Sequence, residues 1–194
     1  MQSQQAKAEA LSQWHQKNSS GLLLPNAWDC ASARVFEAAG FPVVGTTSMG
    51  VAFAQGYQDG EQISPDEMLR IIARITATVQ VPVTADIEAG YGSTPQELAQ
   101  TIQKVIATGV AGINLEDSQG VFKPLYSLEE QCERLAAART AAEQANLALF
   151  INARIDTYLF QIGEEQTRLE ETVRRARAYL QAGASGIFVP GVVD

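Results

Sequence analysis

Along the chain, short continuous apolar runs alternate with longer stretches in which apolar positions recur every three or four residues. The runs predict strands at Leu22–Pro25, Val43–Thr47, Val81–Glu88, Gly112–Glu116, Leu149–Asp156 and Gly186–Val189, with helical sequence between successive pairs. From about Ser64 to Val79, Met68, Leu69, Ile71, Ile72 and Ile75 form one apolar face, while Asp66, Glu67, Arg70 and Arg74 fall largely outside it. Such a face must lie on a sheet. The segments EAAGFPVVGTT, IATGVAGINLE and LQAGASGIFVP share one grammar: Ala-rich helix, a glycine that ends it, then a β-branched strand. Helix starts are equally regular. SPDE at 64–67, TPQE at 94–97 and SLEE at 127–130 each set Ser or Thr three residues before Glu, the pattern of a capping box, and two have Pro at the first helical position.

Strands alternating with helices predict an α/β fold with a parallel sheet. A doubly wound sheet and a (β/α)8 TIM barrel both produce that alternation. No G-x-G-x-x-G follows the first strand, and polar residues close several separate strands, which favours a barrel with its site at the C-terminal mouth. A barrel typically takes about 250 residues, whereas the 194 residues here carry six strand–helix units. The expectation is therefore a single barrel domain over residues 1–194, incomplete at its C-terminus and part of a longer polypeptide. The first and sixth strands should each show an open edge with an apolar flank.

Charge narrows the partners. The formal net charge is -8 and the 14 Lys and Arg are scattered, which argues against nucleic acid and anionic membrane and for a small molecule or another protein. No stretch approaches the ~20 apolar residues of a membrane span, and the N-terminal segment lacks the apolar centre of a secretory signal. A cytoplasmic location is expected. The only cysteines, Cys30 and Cys132, suit a reducing compartment, offer no cysteine-based zinc site, and lie in helical contexts that suggest packing rather than reactivity. The single histidine, His15, lies in the polar N-terminal segment and reads as a solvated helix residue, far from any motif.

The chemistry gathers at strand ends. In VTADIEAGYG, residues 83–92, Asp86 and Glu88 have the same strand parity and point into the mouth. Two anions in one small volume persist only with a cation or a basic side chain between them. Glu116 ends the next strand and can add a third oxygen donor. Carboxylates without His or Cys suit a hard cation, Mg2+ first and Mn2+ next, although as helix caps or salt-bridge partners these acids would be structural. FINARIDTY adds Arg154 and Asp156 with matched parity. Arg154 could hold a substrate carboxylate through two donors and stabilise charge on an enolate, or pair with Glu116 or Asp156. In GTTSMG, backbone N–H groups and the Thr47 and Ser48 hydroxyls could receive a carboxylate, or the small residues could serve a tight turn. Asp59, in GYQDGE, is a functional acid or a turn former.

Taken together, LLLPNAWDCASARVFEAAGFPVVGTTSMG, GYQDGE, VPVTADIEAGYG, GINLEDS, INARIDTY and GASGIFVPG, spread over residues 20–191, resemble the isocitrate lyase and phosphoenolpyruvate mutase superfamily. The resemblance implies a (β/α)8 barrel, a homo-oligomer with a helix exchanged between subunits, that binds Mg2+ and makes or breaks C–C or P–C bonds of 2-oxo acids. By the same resemblance Asp86, Glu88 and Glu116 are the metal-site acids, held partly through water. Arg154 is the active-site arginine, Thr47, Ser48 and Met49 bind the substrate carboxylate, and Asp59 is a functional acid. Glu88 stands where several members have Asp. After LEDS the chain reads QGVFKPLYSLEE, so the K-K-C-G-H loop of isocitrate and methylisocitrate lyases is absent. The mutase pattern, a Lys directly after the acidic pair and a later K-x-N-S, is missing too, and Lys123 does not restore it. The expected activity is Mg2+-dependent C–C cleavage of a small 2-oxo or 2-hydroxy dicarboxylate. The alternatives are a phosphonate P–C enzyme and a non-catalytic metabolite-binding protein.

Overall fold

The structure is a computed structural model that describes residues 2–17, 21–120 and 124–192. Lys123 lies outside the described residues. In chain order the elements are α1 (Gln4–Lys17), β1 (Asn26–Ala27), α2 (Cys30–Ala38), β2 (Val44–Thr46), α3 (Ser48–Ala54), α4 (Pro65–Thr78) and β3 (Val83–Asp86). They continue with α5 (Pro95–Ala107), β4 (Gly112–Glu116), α6 (Leu128–Gln144), β5 (Phe150–Arg154), α7 (Glu165–Gln181) and β6 (Gly186–Phe188). The pairings between these strands are parallel and the strand order is β1-β2-β3-β4-β5-β6. A doubly wound sheet reverses its strand order at a switch point; an order that only advances is that of a barrel wall.

Local sequence explains the elements. Ser64 caps α4 by accepting from the Glu67 N–H, while Thr94 and Ser127 form complete capping boxes with Glu97 and Glu130. The SPDE box is only half made, because the Glu67 carboxylate accepts from the Tyr57 hydroxyl instead. Gly40, Gly109 and Gly183, with φ of +89°, +88° and +109°, end α2, α5 and α7 in the left-handed conformation that the sequence grammar requires. Met68, Leu69, Ile72 and Ile75 of α4 are buried against the sheet, each worth roughly 1.5–3 kcal/mol of burial.

The first strand departs from expectation. The ladder begins at Asn26 rather than Leu22, with Asn26 opposite Gly45. Pro25 accepts from the Gly45 N–H at 2.8 Å but has no N–H to return, and Leu23 is exposed. His15 also differs. It stacks on Phe150 with ring centroids 4.2 Å apart, and α1 buries Ala8 and Leu11 while Gln4 donates to the Ile106 and Val110 carbonyls. Helix α1 thus covers the N-terminal end of the sheet, opposite the mouth. Cys30 and Cys132 are half-buried free thiols on α2 and α6, and burial pushes the Cys132 thiol up. Among the described residues, no helix is long and apolar enough to cross a membrane.

Candidate active site

The sheet register builds the site. Glu116 is opposite Arg154, and Arg154 is opposite Phe188, while Asp86, Asn114 and Asn152 form the row beneath. Asp86, Glu116 and Arg154 are the last residues of β3, β4 and β5. Three consecutive parallel strands therefore deliver two acids and a guanidinium to one mouth.

Arg154 uses two edges of its fork. Nη1 lies 3.1 Å from Glu116 Oε2, and Nε donates to Asp156 Oδ1 at 2.7 Å. Both ion pairs weighed from sequence exist at once. Ser118 Oγ donates to Glu116 Oε1 at 2.6 Å. Burial pushes Glu116 up to about 8 despite the opposing Arg154 charge.

Asp86 Oδ2 accepts from the Ser48 N–H (3.1 Å) and hydroxyl (2.7 Å), and its own N–H donates to Thr46 Oγ1 at 3.0 Å. The Ser48 donors weighed for a substrate carboxylate thus face Asp86 in this structure. Ser48 is already committed to Asp86, the Thr47 hydroxyl caps α3 by accepting from the Gly50 N–H, and the Met49 side chain is exposed. The stretch orients Asp86, an acid of the protein itself.

Glu88 reaches the site by a turn. With φ of +53° it has left the strand, so parity with Asp86 is not what places it. Its Oε2 accepts from the Glu61 N–H at 2.6 Å and its Oε1 from the Tyr91 hydroxyl at 3.1 Å. The Glu61 carboxylate returns the contact by accepting from the Tyr91 N–H at 2.8 Å. A Cβ on Gly92 would stand 2.8 Å from the Leu98 nitrogen, so only glycine lets this turn close onto the start of α5. Burial pushes Glu88 up to about 7, opposed by the Glu61 N–H and reinforced by the charges of Asp59 and Asp86. Asp59, on the loop after α3, is likewise raised by burial, and it feels both Asp86 and Arg154. Glu61 and Ser118 carry no spacing signal in the sequence; only their partners reveal them.

The donor set fits a hard cation held partly through water. Asp59, Asp86, Glu116 and Asp156 surround the single charge of Arg154, Glu88 adds a further acid beside Asp59 and Asp86, every donor is oxygen, and among the described residues Asp59 Oδ1 and Asp156 Oδ2 are buried with no hydrogen-bond partner. Among the described residues, no three Asp, Glu, His or Cys side chains converge closely enough for a direct three-donor cage. Mg2+, which keeps several waters, suits such spacing better than a cation that strips them.

Residues 11–194 match the phosphoenolpyruvate phosphomutase family model. The chain is 30% identical over 185 residues to 2-methylisocitrate lyase of Shewanella oneidensis, covering 91% of this chain and 60% of that protein. A crystal structure from Burkholderia cenocepacia, assigned provisionally as a phosphonomutase, is 41% identical with a TM-score of 0.93, over 97% of this chain and 76% of that one. The structure of 2,3-dimethylmalate lyase is 30% identical with a TM-score of 0.84, over 97% and 65%. The chain spans about 60% of the length of the curated relatives it matches. A match over nearly all of the chain, a strand order that only advances and acids at the strand ends agree: the chain belongs to the isocitrate lyase and phosphoenolpyruvate mutase superfamily of (β/α) barrel lyases and mutases.

Proposed function

We propose that this chain carries the site of a Mg2+-dependent carbon–carbon lyase or hydrolase acting on a small 2-oxo or 2-hydroxy dicarboxylate, with Mn2+ as the alternative ion. The observation that carries this reading is that Asp86, Glu116 and Arg154 end three consecutive strands, with Asp59 and Glu88 near enough to Asp86 to feel its charge. Asp86, Glu88 and Glu116 would hold the cation, Asp86 with its carboxylate oriented by Ser48 and the other two partly through water. When bound, the cation supplies Lewis acidity to the 2-oxygen of the substrate. Arg154, a planar guanidinium at the strand end beside Glu116, is suited to a substrate carboxylate. Asp59 Oδ1, buried and without a partner, takes the proton of a 2-hydroxyl, so that the C2–C3 electrons leave as the enolate of the departing carboxylic acid. The likeness to 2,3-dimethylmalate lyase supports this substrate class. Absence of the K-K-C-G-H loop argues against 2-methylisocitrate itself.

The test is turnover of oxaloacetate and a series of substituted malates with Mg2+ and with EDTA. Asp59→Asn should lower kcat by about 10²–10⁴-fold. Arg154→Lys should lose most turnover despite keeping its charge, because an ammonium cannot reproduce the planar fork. Full activity in the Lys variant would return Arg154 to a structural role, and tight binding of every substrate without turnover would make the protein a metabolite binder. The provisionally assigned Burkholderia phosphonomutase supports a second reading, P–C chemistry, which 31P NMR of phosphoenolpyruvate with the protein tests directly.

A further inference from the structure

Helix α6 buries two polar side chains that the chemistry above does not use. Arg134 is 1% exposed and Gln131 is fully buried. Arg134 Nη1 donates to the Gly92 carbonyl at 2.7 Å, Nη2 to the Ala89 carbonyl, and Nε to Gln131 Oε1 at 3.2 Å, while the guanidinium lies 4.2 Å over the Tyr126 ring. Gln131 Nε2 in turn donates to the Glu116 carbonyl at 3.1 Å. Among the described residues, Arg134 has no carboxylate within ion-pair distance. Burying a guanidinium without a counter-charge is costly, and hydrophobic packing alone would not retain it.

What it grips explains the cost. The turn carrying Glu88 has three left-handed residues, Glu88 (φ +53°), Gly90 (+91°) and Tyr91 (+55°), and two of them are not glycine. Backbone of this kind persists only where its surroundings over-determine it. Glu61 holds the turn from the mouth side, and Arg134 holds two of its carbonyls from behind. The Glu116 N–H donates to the Glu88 carbonyl at 3.0 Å, so the two acids also share a backbone bond.

We infer that Arg134 and Gln131 are positioning residues that set the Glu88 turn and the Glu116 strand end at a fixed separation, acting on the site from outside the mouth. The inference rests on the proposed metal reading for one of its readouts only. Lysine at 134 keeps the charge but can reach neither both turn carbonyls nor Gln131 in one plane. A cavity of about 530 Å3, lined by Ala89, Gly92 and Tyr126 among others, opens onto the same turn and would admit free guanidinium.

The experiment compares the wild type with Arg134→Lys by Mg2+ calorimetry and by amide hydrogen exchange, with thermal unfolding as the folding control. The expected result is an unfolding midpoint close to wild type, Mg2+ affinity weaker by about 10–100-fold, and faster exchange confined to residues 88–92 and the Glu116 amide. Arg134→Ala should recover affinity and protection with millimolar guanidinium chloride. A folded Lys variant with wild-type Mg2+ affinity and wild-type protection of the turn would overturn the inference. If the wild type binds no Mg2+, the metal reading falls and the exchange pattern alone decides positioning. If Arg134→Lys does not fold, Gln131→Met decides: selective loss of Glu116 amide protection supports positioning, and an unchanged pattern refutes it.

Discussion

Glu116 is a carboxylate whose proton affinity is pulled two ways: burial favours the neutral acid and the Arg154 charge favours the anion. Burial wins, leaving Glu116 at about 8 and Glu88 at about 7, both above the ordinary value of 4.5. Asp59, Asp117 and Asp156 are displaced in the same direction by the same cause. A raised folded-state pKa means that the folded protein binds more protons than the unfolded chain between the two values. Stability is then fullest below about 4.5 as far as Glu88 and Glu116 are concerned, and it falls as pH rises through 7 and 8. The loss is on the order of a few kcal/mol, partly recovered by a cation that stabilises the anions. Thermal unfolding with EDTA from about pH 5 to pH 8.5 should therefore show a falling midpoint, and Mg2+ should flatten the slope above pH 7. A midpoint that rises across that window would mean that these acids are ionised in the apo protein. The same residues show what sequence could and could not disclose. Asp86, Glu116 and Arg154 were legible because a charge that ends an apolar run stands at a strand end whatever the tertiary detail. Glu88 was named for the wrong reason: parity assumes a strand, and its left-handed φ belongs to a turn set by Glu61 and Arg134.

Helix α7 is fastened to the site by a buried clasp. Asp117, fully buried, accepts from Arg175 Nη1 at 3.1 Å, from the Tyr179 hydroxyl at 2.9 Å and from the Asp156 N–H at 3.0 Å, so one carboxylate joins the ends of β4 and β5 to α7. Removing only the cation strands a buried anion, which costs about 3–5 kcal/mol, whereas removing both charges costs far less. Arg175→Met should thus destabilise by about 3–5 kcal/mol in urea unfolding, with Asp117→Asn/Arg175→Met recovering much of it. Equal losses in the single and double variants would mean that the clasp is packing rather than charge. Helices and strands themselves were largely readable, since caps, C-terminal glycines and apolar faces are written within a few residues of where they act; α4 runs from Pro65 to Thr78 where the pattern suggested Ser64 to Val79. The fastenings were not. Arg175 meets an acid 58 positions away and Arg134 a carbonyl 42 positions away, and within ERLAAAR or VRRARAY each arginine looks like any solvated helix residue. The first strand was misplaced because LLLP is apolar enough to read as a strand, while the proline supplies only half of the pairing.

The sheet as a whole has two unpaired sides. Among the described residues, β1 pairs only with β2 and β6 only with β5, and while β4 is nearly all buried, no residue of β6 is fully buried and Phe188 is 37% exposed. Apolar side chains flank both sides, Leu23 and Trp28 near β1 and Leu169, Val173 and Leu180 on α7. An edge of this kind offers backbone donors and acceptors together with apolar area, the combination that pairs with another β surface. Two effects limit the pairing. The edges are short, two residues in β1 and three in β6, so each contact adds few bonds of about 0.5–1.5 kcal/mol. The net charge of -8 also repels a second copy. Association of the 194-residue chain should therefore be weak at low salt and stronger when charge is screened, since the Debye length shortens from about 10 Å at 0.1 M to about 3 Å at 1 M. Sedimentation equilibrium should show a weight-average mass that rises with protein concentration and with salt. Phe188→Lys should lower it, because a charge on an edge strand opposes edge-to-edge pairing. A monomer at every concentration and salt, with Phe188→Lys indistinguishable from wild type, would show that the exposed sides of β1 and β6 are compatible with a free-standing chain.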